Sequence, residues 1–130
     1  MRFARTCAHA RVYMSTSTKA FHSYHNTTKE TEMAERDIVA AILRLLRKTP
    51  CCYAWKEHGG IYGTAGIPDI IACINGRFVA FEVKTETGKL TKLQEITIQK
   101  IRNAKGQAFK VTSMAEVAAI LKQMEVEPYE

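Results

Sequence analysis

Residues 69–83 read DIIACINGRFVAFEV, and this stretch restricts the fold more than any other. Two runs rich in Ile, Val and Phe flank Asn75-Gly76, the dipeptide that suits a two-residue hairpin turn because both central positions need positive φ. Strands this apolar bury both faces against helices. Alternation along the second strand sends Val79, Phe81 and Val83 to one face and Ala80, Glu82 and Lys84 to the other. An acid and a base therefore stand on a face expected to be largely covered. Unpaired charge there costs several kcal/mol, so a compensating partner is required.

The rest of the chain supplies material for one core around that hairpin. A length of 130 residues with 46% hydrophobic content fits a single soluble α/β domain and leaves no room for a second catalytic one. No apolar run approaches the roughly 18 residues that span a bilayer, so no membrane partner is expected. Cys7, Cys51, Cys52 and Cys73 lack zinc-type spacing and make a poor disulfide framework, which suits reduced thiols and a cytoplasmic location. A bacterial or phage source is a separate expectation that the cysteines do not bear on. A net charge of +6 favours an anionic partner such as nucleic acid. Half of that excess lies early: residues 1–32 hold five Lys/Arg against two acids, and residues 33–130 hold fourteen against eleven.

Residues 1–32 show no sustained period and no acid before Glu30, so they read as a disordered or loosely packed extension. Their Arg-bearing, Ser/Thr-rich composition leaves organellar targeting as a minor alternative. His9, His22 and His25 lack metal-ligand spacing. The folded domain is expected over residues 33–125, with 126–130 a frayed tail.

From about Thr31 to Lys48, Ile38, Val39, Ile42, Leu45 and Leu46 recur at helical spacing, with Arg44, Arg47 and Lys48 toward the C-terminus where cations suit the helix dipole. Glu35, three residues before Ile38 and seven before Ile42, is expected on the buried face. CCYAWKEH follows Pro50 as a short strand, and GGIYGTAG holds four of the seven glycines. Pro68 then marks entry to the hairpin and places Asp69 at its mouth. Beyond Lys84 the pattern predicts a helix from about Thr91 to Ala104, with Leu93, Ile96 or Thr97, Lys100 or Ile101 and Ala104 along one face. A strand at AFKVTS and a final helix opened by a Ser113–Glu116 capping box complete the order αβββαβα. The expected architecture is a mixed central sheet flanked by helices. Trp55 and Phe81 read as core.

Asp69 and, thirteen residues later, Glu82-Val83-Lys84 bring two carboxylates and an amine onto paired strands. Close carboxylates repel unless a divalent cation lies between them, and hard oxygen ligands suit Mg²⁺ or Mn²⁺. Lys84 would contact a phosphate oxygen or the attacking water and stabilise the charge that builds in the transition state. A cation that acidifies water, beside a fixed ammonium, is equipped for phosphodiester hydrolysis.

Pro68-Asp69 and Glu82-Val83-Lys84 match the PD-(D/E)xK nuclease signature, and their surroundings resemble its VRR-NUC branch. The resemblance runs from about Met33 to Ser113 through ERDIVAAILRLL, HGGIYGTAGIPDII, GRFVAFEVKTETGKLTKLQ and AFKVTS. It implies a restriction-endonuclease-like core in which Asp69 and Glu82 bind the metal, the Val83 carbonyl is a further ligand and Lys84 is the catalytic lysine. Glu35 matches a helix glutamate that many such nucleases, including Holliday-junction resolvases, aim at the metal, often through water. Gln94 matches the polar residue after the core motif. Thr91 stands where such domains often carry Ser or Thr, on the nucleic-acid side of the site.

The bland readings are an Asp69 that caps a turn after proline and a Lys84 in an ordinary strand-end ion pair with Glu82 or Glu86. Lys56, His58, Tyr62, Lys89 and Lys92 are candidate DNA-phosphate contacts, each with a solvated surface role as its rival. Taken together, the residues imply a metal-dependent, structure-specific endonuclease acting on branched DNA such as four-way junctions, working as a homodimer. The alternatives are a flap-cutting, nicking or restriction-like nuclease, or a DNA-binding module without catalysis.

Overall fold

The computed structural model describes residues 33–59 and 63–126. Residues 1–32, Tyr62 and the last four positions lie outside the described residues, and with them the expectations for the extension and for a Tyr62 contact.

Helix α1 (Glu35–Arg47) carries Glu35 and Asp37 in its first turn and Arg44 and Arg47 in its last, matching the helix dipole at both ends. Ile38, Val39, Ile42, Leu43 and Leu46 form its buried stripe. Leu43 joins this stripe while Leu45 is only partly buried. At the helix end the Leu45 carbonyl accepts both the Lys48 N–H at 3.1 Å and the Thr49 hydroxyl at 2.9 Å.

The strands follow as β1 (Cys52–Lys56), β2 (Ile70–Ile74) and β3 (Arg77–Val83), then helix α2 (Lys92–Asn103), strand β4 (Gln107–Val111) and helix α3 (Met114–Gln123). The order is the αβββαβα expected from the sequence. One four-stranded mixed sheet runs β1-β2-β3-β4, antiparallel from β1 to β3 and parallel between β3 and β4. The β2–β3 hairpin pairs Ile74 with Arg77 around Asn75 (φ 50°) and Gly76 (φ 76°). Two consecutive positive φ angles are those of a type I′ turn, whose twist suits the flanking strands.

One sheet face packs Ile70, Ala72, Ile74, Val79, Phe81, Val83 and Val111 against α1 and α3. Val126, assigned by sequence to the tail, is buried in this cluster. On the other face a smaller cluster joins Ile71, Ala80 and Ala108 to Ile98 of α2, with Leu90 and Ile101 at its margin. This cover leaves β1 and the hairpin-turn end of the face open, where Tyr53 is 72%, Trp55 40% and Phe78 46% exposed. Trp55 is therefore not core, whereas Phe81 is fully buried as expected. The α2 stripe also differs from its predicted one: Ile98 is its buried residue, and Leu93 and Ile96 face outward.

Candidate functional site

The hairpin register decides which polar side chains meet. Its last pair is Ile70–Phe81, so one step further along Asp69 stands opposite Glu82. The same arithmetic in β1–β2, whose last pair is Lys56–Ile70, sets Glu57 opposite Asp69, and the Glu57 N–H donates to the Asp69 carbonyl at 2.8 Å. In β3–β4 Glu82 pairs with Lys110. One row across the sheet end thus reads Glu57, Asp69, Glu82, Lys110.

Asp69 is half-buried, and its Oδ2 accepts the Val83 N–H at 2.8 Å. That bond extends the hairpin by a side chain where the backbone ladder stops. Beyond β3 the Lys84 N–H donates to the Val111 carbonyl at 3.0 Å, continuing the parallel ladder and anchoring the backbone from which Lys84 projects.

Glu82 is the buried charged residue of the described chain, with 2% of its surface exposed. Two groups donate to its Oε1: Lys84 Nζ at 3.1 Å and Gln94 Nε2 at 2.6 Å. Burial pushes the Glu82 carboxyl above the usual range; the Lys84 hydrogen bond pulls it back, and the charge of Asp69 pushes it up again. Desolvation works to lower Lys84, yet its hydrogen bond to Glu82 and the charges of Glu82, Glu35 and Asp69 outweigh that and hold the ammonium above its ordinary value. In both residues the net direction is upward. Glu82 binds its proton more tightly than a free carboxyl, and Lys84 stays charged.

Gln94 owes its position to the start of α2. Thr91 caps the helix: its hydroxyl accepts the Gln94 N–H at 3.2 Å, while Gln94 Oε1 accepts the Thr91 N–H at 2.8 Å. The amide group of one side chain thereby closes a capping box with its oxygen and holds Glu82 with its nitrogen. The Thr-x-x-Gln spacing is a capping signal legible in the amino-acid sequence. At Ser113 the expected box is half formed, since the Ser113 hydroxyl accepts the Glu116 N–H while the Glu116 carboxylate turns to Thr112. Gly66 fits α2 against the loop: at φ +79°, an added Cβ would lie 2.7 Å from Leu93 Cγ.

Glu35, expected on the buried face, is exposed at the first turn of α1, because the buried stripe begins only at Ile38. Its Oε1 nonetheless stands 3.8 Å from Lys84 Nζ. The Lys84 ammonium therefore faces carboxylates from three elements: Glu35 of α1, Asp69 before β2 and Glu82 of β3. Val83 is fully buried beside them. Of the candidate DNA contacts, Lys56, His58, Lys89, Thr91 and Lys92 are exposed. They lie on β1, the loop after it and the approach to α2.

Among the described residues, no group of three or more His, Cys, Asp or Glu is assembled at metal-holding spacing. The donors still suit a hard dication in kind. They are carboxylate oxygens around a positive charge, with the Glu82 carboxyl pushed above the usual range by burial despite its Lys84 partner. None of the described cysteines Cys51, Cys52 and Cys73 forms a disulfide, and no described helix is long and apolar enough to cross a membrane. No protein-family model matches the chain, and no curated protein matches it significantly.

Proposed function

We propose that the chain is a metal-dependent DNA endonuclease of the PD-(D/E)xK type, most similar in its motifs to the VRR-NUC branch. The observation that carries this reading is the meeting of Asp69, Glu82 and Lys84 at one end of the sheet, with the Lys84 ammonium 3.1 Å from a carboxylate that is 2% exposed. A surface ion pair needs no such burial. Isolated structural charges are seldom buried, because replacing the pair by apolar residues is often neutral or stabilising. A cation-dependent site explains its retention.

Asp69 and Glu82 would hold the cation, with Glu35 and the Val83 carbonyl as further oxygen donors. The bound dication supplies Lewis acidity toward the phosphate and the attacking water. Gln94 fixes the rotamer of Glu82, so the carboxylate enters the reaction already oriented. Lys84 presents an ammonium, kept protonated by its surroundings, to a non-bridging phosphate oxygen and offsets the charge that grows there. Lys56, His58, Lys89 and Lys92 provide exposed basic or titratable groups for flanking phosphates.

The described residues hold one such site, so two incisions across a four-way junction call for two copies, and a two-fold homodimer matches a two-fold substrate. Branched DNA is the proposed substrate. It would be recognised through backbone shape, since no described helix stands free to read base edges.

End-labelled four-way junction, flap and plain duplex DNA, incubated with Mg²⁺ or Mn²⁺, test the reading. The expected result is paired symmetric cuts in the junction, abolished by EDTA and reduced about 10²- to 10³-fold by Lys84→Ala. Flap or duplex cutting would retain the nuclease and replace the substrate. Metal-independent binding with no cleavage of any substrate would leave a DNA-binding module and refute catalysis.

A further inference from the structure

The sheet face that carries the carboxylates is organised in rows. Next to the row Glu57–Asp69–Glu82 lies the row Trp55–Ile71–Ala80, and beyond it Tyr53–Cys73–Phe78. Successive rows on one face are two residues apart, about 7 Å along the strands. An aromatic shelf therefore begins one row from the carboxylates.

That shelf is the wall of a concavity of about 530 Å³, bounded by Trp55, Phe78, Ile71, His58, Asp69 and the backbone around Gly63–Ile67. The volume lies in the range of ligand sites. Its chemistry is divided. Trp55, Phe78 and Ile71 give apolar surface, whereas Glu57 and Asp69, opposite one another at the sheet end, and the following His58 give polar lining. The indole is held in place: Trp55 Nε1 donates to Glu57 Oε1 at 2.6 Å, and the Tyr53 ring packs at 5.7 Å between centroids and 46° between planes. A restrained, partly exposed ring beside a polar end suits a flat aromatic group whose polar tail points toward Asp69.

We propose that this concavity seats one unpaired nucleobase flanking the scissile phosphate, so that the preferred substrate carries an unstacked nucleotide at the cut. The inference rests on the endonuclease reading in one respect, that the scissile phosphate lies at Asp69 and Glu82. The occupant follows from continuity: the pocket shares Asp69 with the phosphate site, and its aromatic wall is displaced from that site by the span of one extended nucleotide. A base still paired within a duplex is stacked on both faces and cannot lie on Trp55. Junction crossovers, flap bases and gaps offer bases that can, because they are already unpaired and pay less to unstack.

Trp55 is the single tryptophan, so it reports directly on its own occupancy. Tryptophan fluorescence of the full chain, titrated with a single-stranded oligonucleotide and with the same sequence as a blunt duplex, should be quenched by the first and little changed by the second. Anisotropy of the labelled single strand should show Trp55→Ala and Phe78→Ala weakening binding about 5- to 150-fold, with Trp55→Tyr retaining most of the affinity. Circular dichroism melting verifies that each variant is folded.

Equal quenching by the blunt duplex, or unchanged affinity in both alanine variants, would overturn the proposal. So would sedimentation showing that Trp55→Ala converts a dimer to a monomer, which would assign the face to a second copy of the chain. The two readings separate in a parallel cleavage assay. Quenching without cleavage in Mg²⁺ or Mn²⁺ removes the enzyme and keeps the base pocket. Cleavage with an unchanged preference for unpaired nucleotides in Trp55→Ala keeps the enzyme and removes the pocket.

Discussion

Replacing Lys84 by methionine keeps most of the side-chain volume and deletes the charge that faces Glu82. At 3.1 Å and an effective dielectric of about 20, the lost attraction is about 5 kcal/mol, an upper bound because burying the ammonium itself is costly. The abandoned carboxylate can escape by taking up a proton. Protonation costs about 1.4 kcal/mol for each unit by which the solution pH exceeds the carboxyl pKa. Reckoned from the usual 4.5, escape at pH 7 costs at most about 3.4 kcal/mol, and less because burial has already raised the Glu82 carboxyl. The destabilisation is therefore capped near 3 kcal/mol at pH 7 and falls below about 1 kcal/mol at pH 5. For a domain of this size the neutral-pH loss corresponds to roughly 10–20 °C in Tm. Urea and thermal unfolding in EDTA at the two pH values would measure it. An equal loss at both would refute the argument, because packing does not titrate.

Further outcomes follow from the same site. In EDTA the folded Glu82 carboxyl lies above its unfolded value, so its contribution to stability is complete below about pH 4.5 and is lost as pH rises through the folded value. Unfolding across that window should therefore show a downward slope that Glu82→Gln lacks. Mn²⁺ at about 100 times its Kd should stabilise the wild type by about 2.7 kcal/mol in a thermal-shift titration, and Asp69→Asn should abolish the gain. Gln94→Leu deletes a 2.6 Å hydrogen bond to a buried carboxylate and half of a capping box, and should cost about 1.5–3 kcal/mol in urea unfolding. A loss below about 0.5 kcal/mol would mean that Gln94 does not hold Glu82.

The αβββαβα order, the hairpin and the pairing of Asp69 with Glu82 could be read from the chain because each depends on local rules. Apolar alternation sets which residues share a face, Asn75-Gly76 sets the turn and hence the register, and the register alone brings position 69 opposite position 82. The carboxylates and amine of the candidate site inherit their closeness from this short-range logic. Helical spacing put Glu35 on the buried face and only the family resemblance aimed it at the site; it is exposed, with its Oε1 3.8 Å from Lys84 Nζ. Whether the first turn of a helix is covered depends on what packs over it.

What only the tertiary structure decided is coverage. The alternation that made Phe81 core made Trp55 appear equally fit for it, because period-2 patterning labels the faces of a strand without saying what lies against them. Helix α2 covers Ile71, Ala80 and Ala108 in the middle of the face and leaves β1 and the hairpin-turn end open, so Ile98 is buried while Trp55 and Phe78 meet solvent. A single crossover helix is about 10–12 Å wide, whereas four strands spaced about 4.8 Å apart span more than that. The amino-acid sequence alone therefore settled which side chains share the α2 face, and the placement of one helix across a wider sheet settled which of them were left open beside the carboxylates.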